Sequence, residues 1–537
     1  MNSKSKLALV SLIAVCIIIA DVRGQDASDF PGLVLDISRT SNGGSARILG
    51  LGGAQTALGG DISSISSNPA GLGFFNRSEF SFSTQFNGLD ATSNYTDNRN
   101  EASKFNFNLP NLGVVINRGR ARDKWRNQSF GVSINRKADF QNQFNYSGLS
   151  FNETVINPNT GNPELSFDPN APKDIIELAF QGVIDVGQTI DDPPVVSNDF
   201  AGDLALLAWR TFILDEFTDD QGQRFLDRAV FATDDDGRLL EDSSGNLIMA
   251  FPEENLPTLQ IEDIDIRGAA YEFNLAYGAN YDDRIYLGAS LGINTFRKEV
   301  ERIYSERPTN TDLISLTFTD QYEQTGLGIN ATAGIIARPV DVLLIGLSYT
   351  SPTFYGISQI RELGMTANFI DVDRPIEAEP LRFDESNFGL TIPSTLNAGL
   401  TFFAGKNGFI TAEVEQVNYR EGRVSGLSEQ RLEDESNADI DRFNRTLNYR
   451  IGAEFRHDIF RVRGGFAYIE DPESNRLEQD EKQFSFGLGI RQKKYYGDIA
   501  VMRSTGFATR VSPYPGASIA TIDQNATRVT LTVGVKF

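Results

Sequence analysis

Apolar and polar residues alternate along most of this chain, from Glu79 to the C-terminal Phe537. The pattern is clearest over residues 527–537, which carry Thr, Val, Leu, Val, Val and Phe at every second position, with Arg, Thr, Thr, Gly and Lys between them. A period of two separates the two faces of a β-strand. The chain has 537 residues and a negative mean hydropathy. After its first two dozen residues it has no apolar run near the roughly 20 residues that a membrane-spanning helix requires. The pattern therefore predicts an all-β fold, a transmembrane β-barrel in which every second residue meets lipid.

Six short connections divide the alternating region into strands. They lie at residues 118–127, 281–284, 338–341, 405–408, 456–459 and 492–497. Outer-membrane barrels keep their short turns on the periplasmic side and their longer loops outside. Two strands for each turn, together with a first strand at residues 79–86 and a last at residues 526–537, predict fourteen antiparallel strands with both ends periplasmic.

One outer connection, residues 139–267, is far longer than the others. Helix-like apolar spacing occurs in it at Ile175, Ile176, Leu178 and Ala179, and again over residues 204–217. We interpret this connection as a partly helical cap over the extracellular mouth. The alternative is a disordered surface insertion.

The chain is strongly acidic, with a formal net charge of −23. Its acidic residues gather at residues 215–242, 371–385 and 429–441, which the strand count places outside the cell. Solvated loops account for this distribution. Binding to nucleic acid needs a concentration of Lys and Arg that the sequence lacks, so we expect no nucleic-acid partner.

The N-terminus has the pattern of a secretory signal peptide, residues 1–24. Lys4 and Lys6 precede an apolar run, and a small residue, Gly24, offers a cleavage site. The single cysteine, Cys16, lies inside that run, so the mature chain would have no thiol. A lipoprotein signal is the alternative, but Val15 is bulky where a small residue normally precedes a lipidated cysteine.

Residues 45–75 are rich in Gly, Ala and Ser and contain Asn68-Pro69-Ala70-Gly71. The segment has too much glycine for a stable helix and too little alternating bulk for a strand, so surrounding structure must hold it. The lumen of a barrel is suited to this. A flexible linker is the alternative, but linkers seldom interleave Ile and Leu with their glycines. A dinucleotide-binding loop fits worse, because Gln55 replaces the third glycine of that fingerprint and no strand precedes it.

This segment resembles the N-terminal hatch of the FadL-type outer-membrane transporters of long-chain fatty acids and other hydrophobic compounds. We predict a hatch over residues 25–77 and a barrel over residues 78–537. The hatch motif consists of Gly52, Gly53, Ala54, Gly59, Gly60, Asp61, Asn68, Pro69, Ala70 and Gly71. Residues 392–395, 412–415, 452–455 and 463–468 look like hairpins in the second half of the same family.

The resemblance implies a fourteen-stranded barrel in the outer membrane of a Gram-negative bacterium. A long-chain fatty acid or similar hydrophobic molecule would be captured among the outer loops and pass to a pocket beside the hatch. It would then leave sideways through the barrel wall into the outer-membrane lipid. The terminal aromatic residue, Phe537, looks like the signal read by the barrel assembly machinery. Some FadL-like barrels instead serve as shuttle subunits of a protein secretion system, and this alternative would supply a secreted-protein partner.

The lumen pocket is expected to be apolar and to bind its ligand without covalent chemistry. Phe74 and Phe75, directly after the hatch motif, are the candidate ligand-binding residues among the 38 phenylalanines. Small inward-facing residues would leave room for the ligand: Gly278, Gly288, Gly346 and Gly487.

No catalytic or metal-binding pattern is visible in the sequence. Barrel hydrolases need a histidine beside a nucleophile or an acid, whereas the one histidine, His457, lies in a predicted periplasmic turn. The run Asp234-Asp235-Asp236-Gly237 suggests a calcium loop, but an EF-hand would need an oxygen ligand where Ala232 stands. A turn followed by a short hairpin fits this run better. We expect no enzyme activity, no metal and no cofactor.

Overall fold

The computed structural model describes residues 29–39, 44–119, 124–150, 153–156, 163–166, 174–185, 193–197, 199–218, 224–234, 236–250, 258–473 and 480–537. The predicted signal peptide and residues 25–28 of the predicted hatch lie outside the described residues. Within the described part of the chain, no helix is long and apolar enough to cross a bilayer.

Fourteen antiparallel strands form one closed barrel, which confirms the predicted number. The last strand pairs with the first, from Lys536 opposite Glu79 to Thr521 opposite Asn94. The strands are β1 (Glu79–Tyr95), β2 (Asn98–Asn117), β3 (Trp125–Asp139 and Asn142–Leu149), β4 (Leu259–Tyr281), β5 (Ile285–Arg307), β6 (Leu313–Val340), β7 (Leu343–Thr350 and Thr353–Phe369), β8 (Leu381–Ile392 and Thr395–Phe403), β9 (Gly408–Asn418), β10 (Arg445–His457), β11 (Phe460–Ile469), β12 (Glu481–Arg491), β13 (Tyr495–Val511) and β14 (Ala520–Lys536). The first and last strands are thus longer than predicted.

Helices and shorter strands lie inside the barrel or in its outer loops. The helices are α1 (Asp29–Ser38), α2 (Ala46–Leu49), α3 (Ser64–Ser67), α4 (Ile175–Gln181), α5 (Phe200–Arg210) and α6 (Gln430–Ile440), with 3₁₀ helices at Pro69–Phe74 and Tyr419–Glu421. The shorter strands are Glu153–Ile156, Pro163–Ser166, Val183–Asp185, Val195–Val196, Leu214–Thr218, Arg224–Arg228, Ile376–Glu377 and Arg423–Ser425.

An apolar band surrounds the barrel and identifies its membrane-embedded part. On β4, the outward-facing Phe273, Leu275 and Tyr277 are exposed, whereas Glu272 and Asn274 between them are buried. A closed sheet with an apolar outer face satisfies its backbone hydrogen bonds internally and can therefore cross a bilayer. The barrel is an outer-membrane protein.

The short turns and both ends of the barrel lie at one end of the molecule. The Phe537 N–H donates to the Ser78 carbonyl at 2.9 Å. In the turn after β4, Asp282 and Asp283 adopt left-handed φ values of 56° and 55°, as the central residues of a type I′ turn do. His457 is exposed in its own turn. Because periplasmic turns are the short ones, this is the periplasmic end.

The strands of the two sides of the barrel differ greatly in length. β4, β5 and β6 contain 23, 23 and 28 residues, whereas β9, β11 and β12 contain 11, 10 and 11. On β5 the outward face changes from apolar at Ile293 to charged at Arg297 and Glu299, whose side chains are 61% and 39% exposed. We call β4, β5 and β6 the tall wall. Its upper part therefore extends beyond the lipid on the extracellular side.

The long outer connection is shorter than predicted, because both flanking strands continue into it. β3 runs to Leu149 and β4 begins at Leu259, and these two residues pair with each other. The insertion therefore covers residues 150–258 rather than 139–267. Its helices pack into the extracellular mouth, where Leu204 and Leu207 contact inward-facing residues of the tall wall such as Phe318.

The helix predicted over residues 204–217 ends early. The Thr211 hydroxyl donates to the Leu207 carbonyl at 3.0 Å, and Phe212 adopts a left-handed φ of 57°. The chain then forms the strand Leu214–Thr218, which pairs with Arg224–Arg228. The helical prediction is therefore wrong beyond Arg210, because apolar spacing does not distinguish a short buried strand from a helix.

Candidate functional site

Inward-facing glycines line the periplasmic half of the barrel, and residues 44–75 rest on them. We call residues 44–75 the hatch segment. A Cβ atom at Gly288 would lie 2.2 Å from the Pro69 carbonyl carbon, and one at Gly346 would lie 2.3 Å from the Thr56 carbonyl oxygen. The same close approach of backbone to wall occurs at Gly278, Gly452 and Gly465. Only residues without a side chain admit the hatch backbone at these positions.

This packing corrects the prediction that inward glycines leave room for a ligand. The hatch segment itself fills the space beside Gly278, Gly288 and Gly346. Gly487 faces the hatch as well, because a Cβ atom there would lie 3.3 Å from the Gly50 Cα. The sequence pattern showed which way these glycines point, but it could not show what packs on them.

Hydrogen bonds hold the hatch segment to opposite sides of the wall. The Glu413 carboxylate on β9 accepts from the backbone N–H groups of Gln55 and Thr56 at 2.8 and 2.7 Å. On the other side, the Ala46 N–H donates to the Thr532 hydroxyl of β14 at 2.7 Å. Because both anchors are buried, solvent does not compete for them.

Asn68 satisfies donors and acceptors at the turn into Pro69. Its Nδ2 donates to the Thr56 carbonyl at 2.7 Å, and its Oδ1 accepts from the Ala70 N–H at 3.2 Å. The residue is completely buried, and its side chain occupies the space above Gly334. Pro69 then begins the 3₁₀ helix Pro69–Phe74.

A buried ionic cluster joins the hatch segment to β10, β11 and β13. Arg47 lies 3.7 Å from the Asp61 carboxylate and 3.8 Å from that of Glu454. Arg463 is fully buried and donates to Glu454 and to Asp498, both at 2.7 Å. The motif residue Asp61 is therefore part of a charge network that includes three strands of the wall.

The remaining motif residues shape the turns of the hatch segment. Gly52, Gly53 and Gly60 adopt left-handed φ values of 67°, 83° and 68°. At Gly59, a Cβ atom would lie 2.1 Å from the Phe74 ring. The other three residues are buried in the segment: Ala54, Ala70 and Gly71. The role of the motif in transport stays a prediction.

Phe74 and Phe75 lie at the periplasmic end of the lumen. The Phe74 ring stacks on Tyr286 with 3.8 Å between centroids. Phe75 is 4% exposed and packs with Ile62 and Val115. Neither residue lines the large cavity described below, and their ligand-binding role stays a prediction.

The helix α1 lies in the lumen on the extracellular side of the hatch segment. Its Phe30 ring meets Phe388 of β8 edge to face at 5.2 Å. At its other end, Asp36 accepts from Lys298 of β5 at 2.5 Å, and Arg39 donates to Asp471 at 2.5 Å. Apolar packing and ion pairs thus attach α1 to opposite parts of the wall.

A cavity of about 830 Å³ lies beside α1. Apolar side chains contribute to its wall: Leu35, Phe140, Ile266, Phe318, Val417 and Phe443. Charged side chains also line it, and many of them pair with one another. Arg361 forms two hydrogen bonds with Asp320, at 2.8 and 2.7 Å, and Arg450 binds Glu415 at 2.8 Å. The prediction of an apolar pocket is wrong for this cavity, whose lining is mixed.

The hydrogen-bond ladder between β2 and β3 stops partway up the wall. The pairs run from Asn117 opposite Ser129 to Asn111 opposite Asn135. Beyond this point β2 continues to Asn98 along β1 alone, although residues 98–119 and 124–150 are all described. We call the gap between residues 98–110 and residues 136–149 the seam.

Local sequence explains why the ladder ends there. Pro110 has no N–H to donate to a neighbouring strand. Further toward the extracellular end, β3 is interrupted at Phe140 and Gln141 before it resumes at Asn142. The sequence analysis missed this feature, although a proline inside an alternating segment is a recognisable signal of incomplete pairing.

Polar side chains bridge the seam where backbone bonds are missing. The Lys104 ammonium donates to the carbonyls of Asn142 and Ile266 at 3.3 and 3.0 Å. The Asn106 amide donates to the Asp139 carboxylate at 3.1 Å. We call Lys104 and Asn106, with these partners, the latch.

The seam connects the cavity with the lipid side of the barrel. Lys104, Asn106, Asp139 and Phe140 line both the seam and the cavity. On the outer face next to the seam, Phe105 and Phe107 are 69% and 61% exposed. An amphipathic cavity therefore ends at a part of the wall that side chains close.

Among the described residues, no group of three or more His, Cys, Asp or Glu side chains could hold a metal ion. The Asp234 region forms a turn, with the Asp234 N–H donating to the Arg238 carbonyl at 2.9 Å. The chain returns antiparallel, with the Ile248 N–H donating to the Leu240 carbonyl at 3.0 Å. The predicted turn and hairpin are confirmed.

No protein-family model and no curated protein matches the sequence. Among solved structures, the chain is similar to a FadL homologue of Pseudomonas aeruginosa, with a TM-score of 0.52 and 12% identity over 93% of this chain and 98% of that one. It is also similar to the toluene transporter TodX of P. putida, with a TM-score of 0.50 and 12% identity over 92% of this chain and 99% of that one. The chain has the FadL fold. The FadL fold that residues 45–75 indicated thus extends over nearly the whole chain.

Proposed function

We propose that this barrel takes up a hydrophobic small molecule across the outer membrane without chemical conversion. The observation that carries the proposal is the cavity that ends at the seam above a filled lumen. Among the described residues, hatch backbone packed on wall glycines fills the lumen where a porin needs a wide aqueous channel. TodX is described as a toluene transporter, and its similarity in fold supports cargo of the same general class here.

We further propose a long-chain fatty acid or a similar amphiphile as the ligand. Apolar side chains such as Phe140 and Phe318 would contact its chain, at about 0.8 kcal/mol for each buried CH₂ group. The charged side chains of the same cavity would face its polar end. A ligand of this type uses both parts of the lining, whereas a plain hydrocarbon uses only one.

The proposed path enters at the extracellular mouth and leaves through the seam. Apolar cargo gains nothing by entering periplasmic water, and the seam faces lipid beside Phe105 and Phe107. The hatch would move only far enough to change the shape of the cavity. Exit is then lateral, into the outer-membrane lipid.

Replacement of the hatch turn tests the function. We expect Asn68→Ala combined with Pro69→Ala to change uptake of labelled oleate by whole cells while the barrel still assembles, as judged by heat-modifiable electrophoretic mobility. Asn407→Ala, in the exposed periplasmic turn between β8 and β9, is the control and should leave uptake unchanged. If hydrophobic uptake were unchanged in the double variant while a secreted protein failed to reach the surface, the secretion shuttle would replace this proposal.

Cross-linking of the seam tests the exit route. Cysteines at Asn106 and Asp139, whose side chains are hydrogen-bonded at 3.1 Å, can be joined by a short bifunctional thiosulfonate. We expect the linked protein to lose uptake and to recover it after reduction. Uptake that persisted through a linked seam would place the exit at the hatch instead.

A further inference from the structure

The periplasmic rim carries a charge opposite to that of the whole chain. The formal net charge is −23, yet six exposed basic residues lie along the rim from the β12–β13 turn through β1 to β4: Arg77, Arg118, Lys124, Arg126, Lys493 and Lys494. We call these six residues the basic arc. Among the described residues, the side-chain carboxylates in the turns beside it are those of Asp282 and Asp283, after β4.

Most of the basic arc lacks an acidic partner. Among the described residues, its one ion pair joins Arg126 to Asp282 at 3.3 Å. The Asp283 carboxylate instead accepts from the Asn280 amide at 2.7 Å. Arg77 donates to a backbone carbonyl, that of Lys493, at 3.3 Å. Five cations are therefore available to a ligand that is not part of the chain.

Aromatic side chains place the arc at the level of the lipid headgroups. Trp125 is 39% exposed and meets Tyr281 edge to face at 5.2 Å. The Lys124 ammonium lies 5.9 Å from the centre of the Tyr281 ring, and the Arg118 guanidinium lies 5.8 Å from that of Phe130. Outward-facing aromatic residues of this kind mark the membrane–water interface. Arg118 and Lys124 thus turn toward the lipid side of the rim.

We propose that the basic arc binds anionic phospholipid headgroups of the periplasmic leaflet. Arginine forms paired hydrogen bonds with phosphate oxygens, and lysine contributes a compact charge. Each basic residue near an anionic lipid surface favours association by severalfold, and the effect falls within a Debye length. A soluble acidic protein would approach along the barrel axis, whereas Arg118 and Lys124 lie against rings that face lipid.

The arc is placed directly beneath the seam. Arg118 follows β2 and Lys124 precedes β3, the two strands that the seam separates. A phospholipid held there would occupy the membrane position below the lateral opening. The proposal does not depend on which molecule the cavity carries.

Lipid selectivity in reconstituted membranes tests the arc. The full chain is placed in phosphatidylcholine vesicles with spin-labelled phosphatidylglycerol or spin-labelled phosphatidylcholine, and the immobilised fraction of each lipid is measured. We expect the protein to prefer phosphatidylglycerol, and Arg118→Glu combined with Lys124→Glu and Lys493→Glu to reduce that preference at least about fivefold. Raising the salt concentration should weaken the preference in the unmodified protein.

A matched variant separates the effect of the basic arc from the effect of net charge. Arg99, Arg267 and Arg382 have side chains that are 65%, 56% and 77% exposed at the extracellular end, and their replacement by Glu changes the net charge equally. This control should keep the preference. An unmodified protein without a preference, an arc variant that retained it, or a control that lost it equally would each overturn the proposal.

Discussion

The two halves of the lumen are filled in different ways. In the periplasmic half, the hatch backbone lies directly on glycines such as Gly288 and Gly346. In the extracellular half, long side chains such as Arg361 and Arg450 extend from the wall and pair with carboxylates around the cavity. Backbone packed on backbone leaves little free space, whereas side chains that pair across a gap can rearrange and leave volume for a ligand.

The difference assigns separate tasks to the two halves. The periplasmic half blocks the lumen by shape, with one buried ionic cluster around Arg463 as its main electrostatic connection. The extracellular half holds the cavity and the latch, where charges are paired but partly accessible. Substitutions in the lower half should therefore displace the hatch, and substitutions in the upper half should alter passage while the hatch stays in place.

The largest effect is expected from Arg463→Met. Arg463 is fully buried between Glu454 and Asp498, and removal of one partner of a buried ion pair costs about 3–5 kcal/mol. We expect the barrel to lose stability to guanidinium and the hatch to become accessible. Accessibility of the hatch is measured with a cysteine introduced at Ser67. Its labelling by a membrane-impermeant maleimide is followed in protein whose periplasmic and extracellular faces are both accessible to the reagent.

Arg361→Met is the matched change in the upper half. Arg361 is also buried and forms two hydrogen bonds with Asp320 beside the cavity. Its loss should destabilise the barrel but leave the Ser67 reporter protected. Equal labelling in both variants would contradict the division between the two halves.

The second prediction concerns the fit of the hatch on the wall. In Gly288→Val, the new side chain would collide with the backbone at Pro69, and overpacking of this kind typically costs about 1–3 kcal/mol. We expect increased labelling at the Ser67 reporter. Gly464→Val is the control, because a Cβ atom there meets nothing within 4 Å, and it should leave labelling unchanged.

The same contrast explains what the sequence could predict. The hatch was recognisable because close backbone packing requires glycine at fixed positions, and a motif such as Asn68-Pro69 makes its hydrogen bonds locally. The strand number followed from turns that are local too. The ion pairs of the cavity join residues far apart in sequence, such as Asp36 and Lys298. Local sequence patterns do not reveal such partners. The apolar pocket was therefore predicted where a mixed lining exists.

The third prediction concerns the latch. Lys104→Met removes the bridges to Asn142 and Ile266, and hydrogen bonds of a charged donor contribute about 1.5–3 kcal/mol. Because about 1.4 kcal/mol corresponds to a tenfold change in rate, we expect uptake of labelled oleate to rise about tenfold where opening of the seam limits it.

Lys298→Met provides the comparison for the latch. Lys298 pairs with Asp36 at 2.5 Å inside the cavity and does not bridge the seam. Uptake should change less in this variant than in Lys104→Met. A latch variant with unchanged uptake, in a protein that still assembles, would show that the seam is not the slow step.

The most local effect is expected at the extracellular cap, where Glu306 contacts the start of α4. Its carboxylate accepts from the Ile175 N–H at 3.1 Å and from the Tyr304 hydroxyl at 2.5 Å. Burial and the nearby Asp174 carboxylate raise the pKa of Glu306 to about 8. Asp174 itself pairs with Arg228 at 2.7 Å.

The sign of the pH dependence follows from this raised pKa. The seated cap favours protonated Glu306, so its stability is complete below the ordinary pKa of about 4.5 and is lost as pH rises through about 8. Between these values, the population of the open cap should rise by up to about tenfold per pH unit. Hydrogen exchange of the α4 amides at pH 5.5 and pH 8, corrected for intrinsic rates, measures this population. Glu306→Gln keeps the acceptor oxygen but cannot ionise, so it should remove the pH dependence while α4 stays protected. If exchange depended on pH equally in both proteins, the effect would belong to another titrating group. Labelling at the Ser67 reporter in the hatch should not change with pH in either protein.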